Sequence, residues 1–273
     1  MLRILFILIL ASSSLSAQFT DRYWAFGDSA GIDFKILSNP QPANSILRVR
    51  GTCASICDSL GDLLFYCGSP NWTYWLNGIS NARFGNVIDK NHNTMQSGDS
   101  LVGSLWYQEM AIVPDPGNIN RFYIFSAGVT NSNCGLYYSI IDLSFNGGLG
   151  KVVQKNVQIR NDTIADCVAV VRHGNGRDWW VLIRSWKNVP TKEITAYLID
   201  PNGVTAMPTQ YIGANVTNAG FYRLKFNKQG NHLYNACQVG AVERYNFNRC
   251  TGVLSNRIVY SSPKRSNYRI LGF

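Results

Sequence analysis

Glutamate is nearly absent: Glu109, Glu193 and Glu243 are the only three in 273 residues. Histidine is equally scarce, at His92, His173 and His232. There is no Gly-x-Ser-x-Gly elbow, His-Glu-x-x-His pair or phosphate-cradling glycine loop, which removes the usual sequence signatures of serine hydrolases, zinc proteases and nucleotide-binding enzymes. Helical periodicity is missing almost everywhere, so helical bundles and alternating α/β folds are excluded. After Leu10 no apolar stretch approaches the roughly 20 residues that a membrane-crossing helix needs. The shortage of acids leaves 25 Lys and Arg against 16 Asp and Glu, a formal charge of +9. No run of five basic residues occurs, so this charge implies a general preference for anionic partners rather than a nucleic-acid-binding tract.

What is present begins with an export signal. Arg3 precedes an unbroken apolar run from Ile4 to Leu10, and small residues follow through Ser16 and Ala17. That is the pattern of a secretory signal peptide spanning residues 1–17, and it places the chain outside the cell or on its surface with no membrane span after cleavage. Seven cysteines follow, at positions 53, 57, 67, 134, 167, 237 and 250, and an oxidising compartment favours pairing among them. A hairpin turn centred near Leu60 would set Cys53 opposite Cys67 on antiparallel strands, about 4.5–5.5 Å apart at the β-carbons and close to disulfide reach. Separate buried thiols are the competing reading. A zinc site is disfavoured because the Cys-x3-Cys spacing has no second pair.

Short runs of Val, Ile, Tyr, Phe and Trp alternate with Gly, Asn, Asp and Pro clusters, which predicts strands and turns throughout. Four segments share one plan: an apolar strand, a polar turn containing glycine, and a second strand ending in aromatics. Ala54–Cys57 leads to Leu63–Tyr66, Met110–Val113 to Phe122–Phe125, Val168–Val171 to Trp179–Leu182, and Tyr222–Phe226 to His232–Tyr234. With Tyr66, Tyr123, Trp180 and Tyr234 as anchors, the spacings are 57, 57 and 54 residues. Further strands follow inside each unit, and four antiparallel strands at this period are the signature of a β-propeller blade. The fold expected is therefore all-β: a single propeller domain over residues 18–273 with about four blades. Ser266–Phe273 resembles Gly220–Phe226, so the start of a fifth blade and an incomplete C-terminus are expected. Tyr23–Gly27 and Ile32–Phe34 are expected as an N-terminal contribution that closes the last blade.

Several of these runs also resemble a known group. Phe26-Gly27-Asp28-Ser29-Ala30-Gly31-Ile32-Asp33-Phe34, the run from Cys53 to Tyr66, Ile112-Val113-Pro114, Tyr138 to Leu143 with Asn146-Gly147-Gly148-Leu149-Gly150, and Val171 to Gly176 with Asp178-Trp179-Trp180 are similar to the N-terminal propeller region of secreted Bacteroidetes proteins. Those larger proteins carry gliding-motility or type IX secretion sorting domains further along, and no such domain is expected within these 273 residues. The resemblance implies export and a propeller of the WD40 or YVTN kind, and assigns no reaction.

Two functional readings compete. The first is a non-enzymatic binding or scaffold module that presents its loops to an extracellular protein or polysaccharide, with no cofactor, metal or nucleic acid. Trp72 and Trp75 stand in a Pro- and Asn-rich insertion, residues 69–93, outside the repeated plan; loops carry binding more often than scaffold strands do, so these two and Arg223 are the candidate ligand-binding residues. The other tryptophans, among them Trp179 and Trp180, are expected mainly in the blade core. The second reading is a glycan-active hydrolase or lyase. It needs two carboxylates across a cleft, and Glu109 and Asp166, each just ahead of a predicted innermost strand, are the pair to test. Hydrogen bonds in turns, or an ion pair with Arg223, are the structural alternative for both. Asp58 to Asp62 is read as a turn rather than a calcium loop.

Overall fold

The computed structural model describes residues 21–49, 51–69, 84–103, 106–129, 134–186, 191–216, 222–238 and 240–262. Their strands form five antiparallel sheets in chain order. The N-terminal sheet holds β1 (Tyr23–Phe26), β2 (Ala30–Asp33) and β3 (Gln41–Asn44). The first blade holds β4 (Cys53–Cys57), β5 (Leu63–Gly68), β6 (Phe84–Asp89) and β7 (Leu101–Val102). The second holds β8 (Met110–Pro114), β9 (Arg121–Gly128), β10 (Gly135–Asp142) and β11 (Lys151–Arg160). In the third, β12 (Ala169–Arg172), β13 (Trp179–Arg184) and β14 (Thr191–Asp200) are followed by β15 (Gly203–Ala206) and β16 (Gln210–Val216), both paired with β14. The fourth holds β17 (Tyr222–Phe226), β18 (His232–Cys237), β19 (Val242–Asn248) and β20 (Val253–Ser261).

These sheets stack as propeller blades. The first strand of each lies against the first strand of the next, from β1 to β4, β8, β12 and β17. Four apolar clusters fill the four interfaces, one per neighbouring pair. Tyr23, Leu47 and Tyr66 join the N-terminal sheet to the first blade. Phe65, Phe122 and Ile124 join the first blade to the second, with the Phe65 and Phe122 rings edge to face at 5.3 Å. Val113, Phe125, Val181 and Ile199 join the second to the third, and Trp180, Leu182, Tyr245 and Phe247 the third to the fourth. Burial of apolar surface between blades, rather than within one, is what each sheet gains by folding.

Local chemistry repeats with the blades. Each third strand ends in an Asp or Asn whose Oδ1 accepts the backbone N–H two residues on: Asp89 from Asn91, Asp142 from Ser144, Asp200 from Asn202 and Asn248 from Cys250, at 2.8–3.0 Å. Such side chains stabilise the turn into the fourth strand. Asp58 does the same in the first hairpin, accepting from Leu60 and Asp62.

Two expectations need correction. Residues 84–89 belong to the repeated plan, because β6 is the third strand of its blade and pairs with β5 through Tyr66↔Ile88 and Cys67↔Val87. Among the described residues the segment expected to close the last blade forms a three-stranded sheet, with Trp24↔Ile32 and Ile32↔Pro42 as pairs, that packs on the first blade. Cys53 and Cys67 are not opposed: a bulge between Ile56 and Cys57 shifts the register by one, so Cys53 faces Gly68 and Cys67 faces Ala54. No disulfide occurs among the described residues. Residues 1–17, Trp72, Trp75 and 266–273 lie outside the described residues.

Candidate functional site

The innermost strands run side by side, and what precedes each of them decides how the blades are held together. Thr52, Glu109 and Asp166 each stand fourteen residues before their anchors, Tyr66, Tyr123 and Trp180. All three are buried. Thr52 reaches the second blade, donating its N–H to Trp106 O at 3.0 Å and accepting the Glu109 N–H on Oγ1 at 2.6 Å. Asp166 spans two blades. Its Oδ2 accepts the Tyr107 N–H and its Oδ1 the Tyr222 N–H, both at 3.2 Å. Beside it Gln108 donates Nε2 to Val168 O and Leu224 O and accepts the Leu224 N–H, so one amide ties the second, third and fourth blades.

Burial pushes the Asp166 carboxyl up to about 6, against the opposing pull of the Tyr107 and Tyr222 amides and of the Arg223 charge. A carboxyl in that range could act as a general acid. Its place argues otherwise, because Asp166 and Glu109 are both 0% exposed and neither lines the cleft described next. Asp166 ties blades together, as Thr52 does ahead of the first blade.

A cleft of about 1450 Å³ opens between the inner strands β4, β8, β12 and β17. Its wall carries Arg172, Arg177, Arg223, Lys225 and Lys228 against Asp21 and Asp115. Arg172 and Trp179 are cross-strand partners, and the guanidinium lies 4.8 Å from the centre of the indole. Arg223 donates to Tyr107 O at 3.2 Å. Arg177 is held by Asp178 at 2.6 Å, and Asp115 accepts the Gly117 N–H at 2.8 Å. The two tryptophans of β13 thus divide: Trp180 is core, 1% exposed, while half-buried Trp179 lines the cleft.

Of the residues singled out in the sequence, Arg223 lies in the cleft wall and Glu109 and Asp166 lie behind it. Arg172, Trp179 and Lys225 were not singled out as ligand-binding residues. A signal for them existed, since Arg172 and Trp179 flank the His173–Asp178 turn and any tight hairpin there makes them neighbours. Among the described residues no helix is long and apolar enough to cross a membrane, and no group of three or more potential metal ligands occurs.

No family model and no curated protein matches the chain. Solved structures resemble it at low identity. A putative 6-phosphogluconolactonase from Bacteroides uniformis is 10% identical with a TM-score of 0.47, over 88% of this chain and 66% of that one. The periplasmic gluconolactonase of Pseudomonas aeruginosa is 9% identical with a TM-score of 0.46, over 86% and 65%. An auxiliary nutrient binding protein from Bacteroides thetaiotaomicron is 13% identical with a TM-score of 0.38, over 76% and 40%. The chain therefore spans 40% to 66% of the length of these three structures.

Proposed function

We propose that this chain is an exported, non-enzymatic binding module that receives its ligand in the cleft between the inner strands of its propeller. Export rests on the signal-like residues 1–17, and the kinship with secreted Bacteroidetes propeller proteins rests on the shared sequence runs. The binding reading rests above all on one observation: the cleft wall offers cations and an aromatic ring, while the two candidate catalytic carboxylates are fully buried behind it. A glycosidase needs its acid and its nucleophile or base on either side of the scissile bond. Glu109 and Asp166 instead sit where blades are joined.

The chain from Gln18 onward is the material for the test. Incubated with a panel of extracellular polysaccharides and proteins, it is expected to retain at least one saturably and to release no new reducing ends or fragments. Turnover that disappears in Glu109→Gln or Asp166→Asn, with the fold intact by circular dichroism, would establish the hydrolase reading in its place.

A further inference from the structure

We infer that the cleft ligand is an acidic polysaccharide, a chain of sugar rings bearing carboxylate or sulfate groups, held by the Arg172–Trp179 pair on one wall and by Lys225 and Lys228 on the adjoining blade. This deepens the binding reading and rests on it.

Three features of the cleft converge on that chemistry. The first is charge. Five cations face two acids, Asp21 and Asp115, in the wall. Arg177 is paired with Asp178, and with Arg172, Arg223, Lys225 and Lys228 beside it the wall carries more positive than negative charge. Walls of low dielectric focus such a field and draw in anions. Burial disfavours the charged form of Arg172, and an anion beside it relieves that cost.

The second feature is the indole. Trp179 is paired with Arg172 across the β12–β13 hairpin, so the guanidinium is held in one orientation by stacking at 4.8 Å. A planar cation fixed beside a half-buried aromatic suits a ligand that presents an anionic group and an apolar ring face close together. Tyr234, 38% exposed, supplies a second ring on the adjoining blade, paired with Lys225. The third feature is size. Pockets for single small molecules measure about 300–1,000 Å³, and this open cleft holds about 1450 Å³, which fits several linked units rather than a monosaccharide. Single-stranded nucleic acid also combines charge with stacking rings, and it is disfavoured here by the lack of a continuous basic track and by the export signal.

The test is titration calorimetry of the chain from Gln18 onward with polygalacturonate, dextran sulfate, neutral dextran and a single-stranded DNA oligonucleotide. Polygalacturonate, dextran sulfate or both should bind, and the stronger of the two identifies the anionic group; raising the salt from about 50 to 300 mM should weaken that binding on the order of tenfold. Arg172→Gln and the double variant Lys225→Gln/Lys228→Gln should each weaken it at least about tenfold, a loss of one charge-assisted contact or more, with thermal unfolding unchanged. Neutral dextran bound as tightly as the acidic polymers, or DNA bound more tightly than either, overturns the acidic polysaccharide and leaves a binding cleft standing. Acidic polymer bound equally by the wild type and both variants overturns the cleft as the site, and with it the reading on which this inference rests. Absence of binding to all four polymers overturns the inference, while retention of some protein in the earlier panel would keep the module reading alive.

Discussion

At Asp166 two demands compete. Burial favours the neutral acid, while the amides of Tyr107 and Tyr222 and the charge of Arg223 favour the carboxylate; burial prevails and the folded group titrates at about 6. An unfolded aspartate titrates near about 3.9. Between those values the folded chain retains a proton that the unfolded chain has lost, so stability falls as pH rises through this window. The penalty is absent below about 4 and complete above about 6, and two units amount to roughly 2–3 kcal/mol. Urea unfolding from pH 4 to 7 should show the wild type losing that amount relative to Asp166→Asn, which has no such titration. A flat difference would mean that the two amides balance burial. The sequence made this residue visible as the one just ahead of an inner strand, but it could not give the role. Strand periodicity tells where a side chain falls along the chain and not what stands opposite it, and Thr52 at the same repeat position shows that a hydrogen-bonding group is what the site requires. Cys53 and Cys67 failed for a related reason. The turn is centred as expected, with Cys57 facing Leu63, yet the bulge beyond it adds one residue to β5 and moves both thiols out of opposition.

At the scale of the element, the four anchors share a strand but not a face: Tyr66 packs toward the preceding sheet, Tyr123 and Trp180 toward the following blade. Tyr66 pairs with Ser55, Tyr123 with Val113, Trp180 with Val171 and Tyr234 with Lys225, each on the second strand of its blade. The spacing in the sequence therefore reported the second strand of each blade and not the face, because the bulge in the first hairpin turns Tyr66 to the other side. It did not report equal burial. Trp180 is wedged between blades, its indole N–H donating to Arg249 O at 2.7 Å and its ring set edge to face with Phe247 at 6.2 Å. Gly252 leaves room for it, since a β-carbon there would fall 2.8 Å from the ring. Tyr234 lines the cleft at 38% exposure. Trp180→Ala should thus cost about 3–5 kcal/mol of unfolding free energy, and Tyr234→Ala less than about 1 kcal/mol, both read from urea midpoints at constant slope. Equal losses would show that the anchors share a load their burial does not reveal. Strand existence and order were legible because alternation and turn residues are local properties. The assignment of residues 84–89 was not, because Phe84–Asp89 is separated from its blade's hairpin by an unusually long, polar connection that masks the period.

Across the whole molecule, stability is a chain of nearest-neighbour terms. Central strands of the second and third blades are buried on both faces, as the unbroken burial of β9 from Phe122 to Gly128 and of β13 from Trp180 to Arg184 shows. On β17, β18 and β19 buried residues alternate with exposed or half-exposed ones, so among the described residues the fourth blade is held through the cluster that it shares with the third. Cross-links such as Gln108 and Asp166 join inner strands, but the apolar clusters carry most of the area and each belongs to one interface. In a one-dimensional stack of this kind a defect loosens its own interface first. Hydrogen exchange on Trp180→Ala at neutral pH should therefore show faster exchange in peptides covering β18 and β19, with those covering β5 and β9 close to wild-type rates. If all four blades gained exchange together, the interfaces would be coupled more tightly than neighbour contact alone can explain, and the inner-strand hydrogen bonds centred on Gln108 would be the first place to look for that coupling.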